Sequence, residues 1–174
     1  MNLIITCARH TEEDAAGELA RVLESMGDDS PDIMVTPMSG ILTASTGVEP
    51  ASVSAKFRET LEDEPWSIRY CLRVIPVFET VKTDVGEIVG AATAMALQKI
   101  PGDATYRITV EKRNTGVSGS EIISGIARGI SNPVSLEHAD ATVLVEVLGG
   151  TTGISVLRDS EIFSAEKVRR GMNA

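Results

Sequence analysis

The sequence predicts an α/β protein of the α+β type, built as two units in series. Two observations carry that prediction. Apolar spacing switches repeatedly between a period of two and a period near 3.6, so strands and helices interleave along the chain. The charge also steps once: residues 1–65 hold 4 Lys+Arg against 13 Asp+Glu, whereas residues 66–174 hold 12 of each. The whole net charge of −9 therefore sits in the first part, as two units with different partners would have it. With 43% hydrophobic residues but only 3% aromatic ones, the cores must be aliphatic.

Residues 2–7 read as a short buried-type strand. Thr11 and Asp14 then mark a helix start, and Ala15, Leu19, Val22, Leu23 and Met26 share one face. Gly27 stands where a left-handed C′ residue belongs. Residues 33–36 and 41–45 flank Pro37-Met38-Ser39-Gly40 as a hairpin. A second helix is expected over about 51–62, with Val53, Phe57 and Leu61 at helical spacing. Residues 69–78, RYCLRVIPVF, read as one long strand. The resulting order β-α-β-β-α-β over residues 1–78 is the ferredoxin-like pattern.

The second unit, residues 79–158, opens on a helix capped by Asp84 and Glu87, with Val85, Ile88, Val89, Ala92, Met95, Ala96 and Ile100 inward. Residues 106–112 alternate Tyr106, Ile108, Val110 against Arg107, Thr109, Glu111, a strand with one buried face. A helix from Ser118 places Ile122, Ile123, Ile126 and Ile130 on one stripe. Its Gly125 and Gly129 allow a neighbour to approach closely. Residues 141–148 and 153–157 form a last hairpin around Gly149-Gly150. Residues 159–174 carry Lys167, Arg169 and Arg170, a basic tail that is either an arm or a terminal helix.

No catalytic constellation emerges. His10 follows a strand end but has no marked partner, and His138 beside Asp140 fits a loop equally well. Glu62-Asp63-Glu64 reads as a solvated helix end. The run Gly149 to Gly153 lacks the lysine and spacing of a phosphate-binding loop of the Walker type. Cys7 and Cys71 fall on strand patterns and read as buried, inert thiols of a reducing compartment; no metal or cofactor is expected. No apolar run approaches the roughly 20 residues of a membrane span, nor does the start resemble a signal peptide. A soluble, cytoplasmic binding protein is the expectation.

Basic residues suggest what is bound. Residues 105–130 form a strand, a polar loop and a helix; Lys112-Arg113-Asn114 close the strand and Ser118-Gly119-Ser120-Glu121 open the helix. That arrangement suits either a phosphate, held by unpaired helix N–H groups and the helix dipole, or an ordinary turn. Arg69 and Arg73 lie four apart in the long strand, Lys82 sits in the connector before a helix cap, and Arg128 projects away from the isoleucine stripe. If Arg73, Lys82, Lys112, Arg113 and Arg128 converge, they supply salt-dependent contacts to phosphates. With few aromatics for stacking, shape and backbone contacts would dominate.

Three stretches add a resemblance: RVIPVFETVKTDVGEI (73–88), ITVEKRNTGVSGSEII (108–123) and VSLEHADATVLVEVLGGTTGISVL (134–157). From Arg69 onward the chain is similar to a THUMP domain, an RNA-binding module of tRNA-modifying proteins. The opening LIITCARHTEEDAAGELARVLESMGD resembles the ferredoxin-like half that accompanies it. The layout is most similar to the stand-alone kind, which assists cytidine acetylation in tRNA; Lys82 and the pair Arg113-Asn114 match positions of that pattern. The resemblance implies binding of the tRNA acceptor end with its 3′ CCA, and chemistry supplied by a separate enzyme, an acetyltransferase first. The RNA-binding subunit of a thiolation or methylation enzyme is the second reading, and an enzyme using His10 the third. The chain departs from the family where His138-Ala139-Asp140 replaces an Asn-Pro before the aspartate.

Overall fold

The computed structural model describes residues 1–174. Along the chain run β1 (Leu3–Thr6), α1 (Glu12–Ser25), β2 (Asp32–Val35), β3 (Ile41–Ser45), α2 (Pro50–Asp63), β4 (Arg73–Pro76), β5 (Glu79–Lys82), α3 (Val85–Lys99), β6 (Tyr106–Arg113), α4 (Gly119–Arg128), β7 (Ala141–Leu148), β8 (Thr151–Leu157), β9 (Phe163–Ser164) and α5 (Ala165–Met172). They divide into two compact units, Met1–Val77 with Ser160–Ala174, and Phe78–Asp159. No helix is long and apolar enough to cross a membrane.

In the first unit the strands lie β2-β3-β1-β4-β9, every neighbour antiparallel. The first four have the split-βαβ pairing expected of residues 1–78. The core joins Leu3, Ile5, Leu42 and Val74 from the sheet to Ala15, Leu19 and Leu23 of α1 and Val53, Phe57 and Leu61 of α2. Gly27 ends α1 with a φ of 97°, as its position predicted. Thr11 does stand at the N-cap, but its hydroxyl donates to the Ala8 carbonyl and caps nothing. Cys7 and Cys71 are buried, and burial pushes both thiols above their ordinary pKa.

Two expectations are corrected in this unit. The long strand over 69–78 shrinks to the four residues of β4. The Glu18 carboxylate, 2% exposed, accepts N–H groups from Arg69 (2.7 Å), Tyr70 (3.1 Å) and Cys71 (2.8 Å). Three successive N–H groups converging on one carboxylate cannot also alternate along a ladder, so pairing resumes only where Leu72 donates to the Thr6 carbonyl. The other correction concerns residues 159–174: their terminal helix is present as α5, but from Ser160 onward the segment returns to the first unit instead of standing as a tail. Phe163 is fully buried with its ring 5.3 Å from that of Phe57. Arg58 donates to the Ser160 carbonyl (2.6 Å) and Arg169 to that of Ile68 (2.7 Å), which ties both ends of the segment down.

In the second unit the order is β5-β8-β7-β6, with β6 parallel to β7 and the other pairs antiparallel. A parallel pair needs a crossover, and α4 supplies it. Val143, Val145, Val147, Ile154 and Val156 meet Ile88, Ala92, Met95 and Ala96 of α3 and Ile122 and Ile126 of α4. Ile123 leaves the expected stripe and is 41% exposed. β5 is an unpredicted strand, and it takes Lys82 out of the connector where the spacing placed it. The close approach expected of the α4 glycines is present: a Cβ on Gly125 would lie 2.7 Å from Val89 Cγ2, and one on Gly129 2.5 Å from Thr93 Cγ2.

Two outcomes follow from this packing. Glu18→Ala should lower the unfolding free energy by about 3 kcal/mol or more, because three N–H groups lose a charged acceptor together. Glu18→Gln keeps one acceptor oxygen and should cost less, as urea midpoints will show. Gly125→Ala gains at most about 1 kcal/mol of helix propensity. It meets a β-branched side chain that cannot rotate aside, and such overpacking costs about 1–3 kcal/mol. A lowered melting temperature is expected, partly restored when Val89→Ala is added and read against Val89→Ala alone.

Candidate nucleic-acid interface

The register of the second sheet brings separate basic residues to one end. Lys82 pairs with Thr151, Thr151 with Leu148, and Leu148 with Arg113. Directly paired residues point to the same side of a sheet, so Lys82 and Arg113 share a face in one row across four strands. Three strand spacings separate their Cα atoms by about 14 Å. Lys112, one residue earlier, points to the opposite face, where Val147 is its row neighbour. Gly149-Gly150, which turns β7 into β8, completes this end: Gly149 donates to the Arg113 carbonyl (2.9 Å), and Thr83 to that of Gly150 (3.0 Å). Gly149 has a φ of 60°, which suits a residue without Cβ.

Both helices begin at this same end. Asp84 caps α3 by accepting the Glu87 N–H (3.0 Å), as its spacing predicted. Ser118 caps α4 by accepting the Glu121 N–H (3.3 Å), and its hydroxyl lies 3.1 Å from that of Ser120. The loop between β6 and α4 turns on Asn114, whose φ of 56° is left-handed, a conformation its short amide side chain tolerates. Lys112 Nζ donates to the Val117 carbonyl (2.9 Å) and holds the loop against the strand. The end therefore holds helix-start N–H groups, the hydroxyls of Ser118 and Ser120, that of Thr83 paired at 2.9 Å with Thr152, and ammonium and guanidinium donors.

Of the predicted site residues, Lys82, Lys112, Arg113 and Asn114 gather here. Arg128 lies at the far end of α4 and lines a cleft between the helices with Val89, Ser120, Ser124 and Gly125. Arg73 belongs to the first unit, opposite Thr6 and Ser164 in β4. Arg69, expected to share its strand, lies outside β4 and donates from Nε to the Trp66 carbonyl (3.1 Å). The hydroxyls of Thr83, Ser118 and Ser120 went unremarked as ligands. The sequence offers Ser-Gly-Ser as the start of a helix that suits a phosphate through its N–H groups or an ordinary turn, and it does not single out Thr83 ahead of the Asp84 cap.

Arg113 has a task besides any ligand. Its Nη1 lies 3.1 Å from Oε2 of Glu146, whose side chain is 1% exposed while the guanidinium is 30% exposed. Lys82 is an exposed strand end. Arg113→Ala should therefore cost stability, about 1–3 kcal/mol once the guanidinium's exposure is allowed for, because the buried carboxylate loses its cation. Lys82→Ala should stay within about 0.5 kcal/mol. Urea unfolding of the two variants checks this, and Glu146→Gln combined with Arg113→Ala should recover part of the loss.

Residues 82–157 match the sequence profile of the THUMP domain, so the second unit of this chain carries a THUMP domain. The match holds Lys82, Lys112, Arg113, Asn114 and Arg128 and excludes Arg73. Solved structures of similar fold cover both units. PH1313 from Pyrococcus horikoshii Ot3 has a TM-score of 0.63 at 15% identity, over 91% of this chain and 55% of its own. TrmN from Thermus thermophilus has a TM-score of 0.60 at 13% identity, over 90% of this chain and 45% of its own. A 4-thiouridine synthetase in complex with RNA and ATP has a TM-score of 0.53 at 16% identity, over 91% of this chain and 42% of its own. At these identities the likeness establishes the fold. The chain spans about half the length of these proteins, and no curated protein matches it in sequence.

Proposed function

We propose that this chain is a non-catalytic tRNA-binding adaptor that holds the acceptor end, with its 3′ CCA, and presents the tRNA to a separate modification enzyme. The observation that carries the reading is the THUMP domain over residues 82–157. Its sheet end supports it, because Lys82, Lys112 and Arg113 there combine with hydroxyls and helix-start N–H groups, the donor set that phosphate oxygens take. Arg128 extends the donors down the cleft between α3 and α4. The partner favoured is a cytidine acetyltransferase, on the stand-alone layout the sequence resembles.

A second reading has an observation of its own. The similar folds include a 4-thiouridine synthetase in complex with RNA. An RNA-binding subunit acting in trans for a thiolation or methylation enzyme therefore stands beside the acetylation adaptor. Mapping the tRNA nucleotide whose modification disappears on deletion of the gene separates the two: loss of an acetylated cytidine supports the first, loss of a thiolated or methylated base the second.

The RNA contact itself is tested by affinity against salt, with intact tRNA and with tRNA lacking CCA. Weaker binding of the truncated tRNA is expected, with log affinity falling linearly in log salt. Lys82→Ala should weaken binding and reduce the slope by about 0.9 if its ammonium meets one phosphate. Salt-insensitive binding, or indifference to the 3′ end, refutes the acceptor-end reading.

A further inference from the structure

The first unit has an open sheet edge whose surroundings carry one sign of charge. β2 pairs only with β3 and forms the outer strand of its sheet. Thr36 donates its N–H to the Ile41 carbonyl (3.1 Å), which marks that pair as the hydrogen-bonded kind. Bonded and unbonded pairs alternate along an antiparallel ladder, so Ile33 and Val35 turn N–H and C=O toward the open side. Beside those groups stand exposed apolar side chains, Met34 at 57% and Val35 at 37%. Their strand partners show that the two project from opposite faces, Met34 with Thr43 and Val35 with the buried Leu42.

The electrostatics are uniform. Residues 22–55 contain five carboxylates and no Lys, Arg or His. Asp28, Asp29 and Asp32 lead into the strand, and hydrogen bonding from the Thr46 hydroxyl lowers the pKa of Asp28 and keeps it ionised. α1 packs against β2. Natural edge strands are guarded by charge, shortness or proline. β2 carries these guards itself, being four residues long and bracketed by Pro31 and Pro37, and its charge is acidic, which repels another acidic edge and leaves a basic guest admitted.

We propose that the open edge of β2 docks a partner polypeptide, which adds a strand whose Lys or Arg residues flank alternating apolar ones. Backbone bonds to Ile33 and Val35 hold the guest, Met34 and Val35 meet its apolar side chains, and the surrounding carboxylates select for its cations. A second copy of this chain is a poor occupant, because two such edges would bring like charges together. The inference concerns the first unit only and needs no RNA.

The test is selection of a random dodecapeptide library on the full chain, with the enriched peptides then synthesised. Enrichment of extended sequences with alternating apolar residues and at least two Lys or Arg is expected. Amide exchange at Ile33 and Val35 should slow when such a peptide binds. The variant Asp29→Lys with Asp32→Lys, and separately Val35→Pro, should each weaken that binding about tenfold or more with circular dichroism unchanged. The charge variant leaves the backbone intact, so it remains informative if Val35→Pro disturbs the fold. No enrichment, peptides without a basic bias, binding that leaves Ile33 and Val35 exchange unaltered, or self-association through this edge would each overturn the proposal.

Discussion

Everything at the candidate interface depends on β7 being bonded along both edges. It runs in unbroken register with β6 from Ala141 opposite Tyr106 to Leu148 opposite Arg113, and its other edge carries β8 from Leu157 to Thr151. Seven of its eight residues, Thr142 to Leu148, are buried between those neighbours. A slip of one residue in β6 would exchange Lys112 and Arg113 between the faces of the sheet. Arg113 would then leave Glu146, and a buried carboxylate would lose its guanidinium. The ion pair is thus a register lock, which is a well-attested use of a buried charge. The row from Lys82 to Arg113 exists because β7 cannot slide.

The first unit uses a carboxylate in a comparable way. Glu18 stands in for a strand partner at Arg69, Tyr70 and Cys71, which lets the chain approach β4 without a ladder. β4 then gains its second neighbour from the far end of the chain, where Phe163 lies opposite Val74. The unit is therefore closed only after the THUMP domain has been made, since β9 and α5 follow β8 in the chain. The second unit is continuous, and the first is not.

This explains which parts were legible in the sequence. Strong periodic patterns gave β7 at its observed bounds, both α3 and α4, and the βαββαβ order, because each buries an apolar face that alternates or recurs over at least one full repeat. What failed was short or non-local. β5 is four residues with exposed and half-exposed side chains, too brief to show a period. The return of residues 160–174 rests on one buried phenylalanine and on arginines bonded to carbonyls, which read in sequence as a basic tail. The site followed the same rule. Lys112, Arg113 and Asn114 could be picked out because they close a strand with a clear period, and Lys82 because it stands just ahead of a helix cap. Arg73 could not be sorted from them, because its assignment to the other unit is a property of contacts, and Arg113's bond to Glu146 crosses 33 residues.

The charge distribution bears on how the proposed RNA contact must operate. A chain of net charge −9 repels a polyanion at long range, and most of that field originates in the first unit. Attraction must come from donors close to phosphates, inside a Debye length of about 8 Å at physiological salt. Salt then acts in two directions, releasing counterions from the contacts while screening the repulsion. A measured slope should fall short of the number of phosphate contacts for that reason. Arg113 is further discounted, since its charge is already balanced by Glu146. Among the gathered residues, exposed Lys82 is the cation least committed within the fold, because Lys112 already holds a backbone carbonyl. The proposed RNA contact would therefore rest more on neutral donors than on uncommitted charges, an arrangement that favours a defined phosphate geometry over indiscriminate binding.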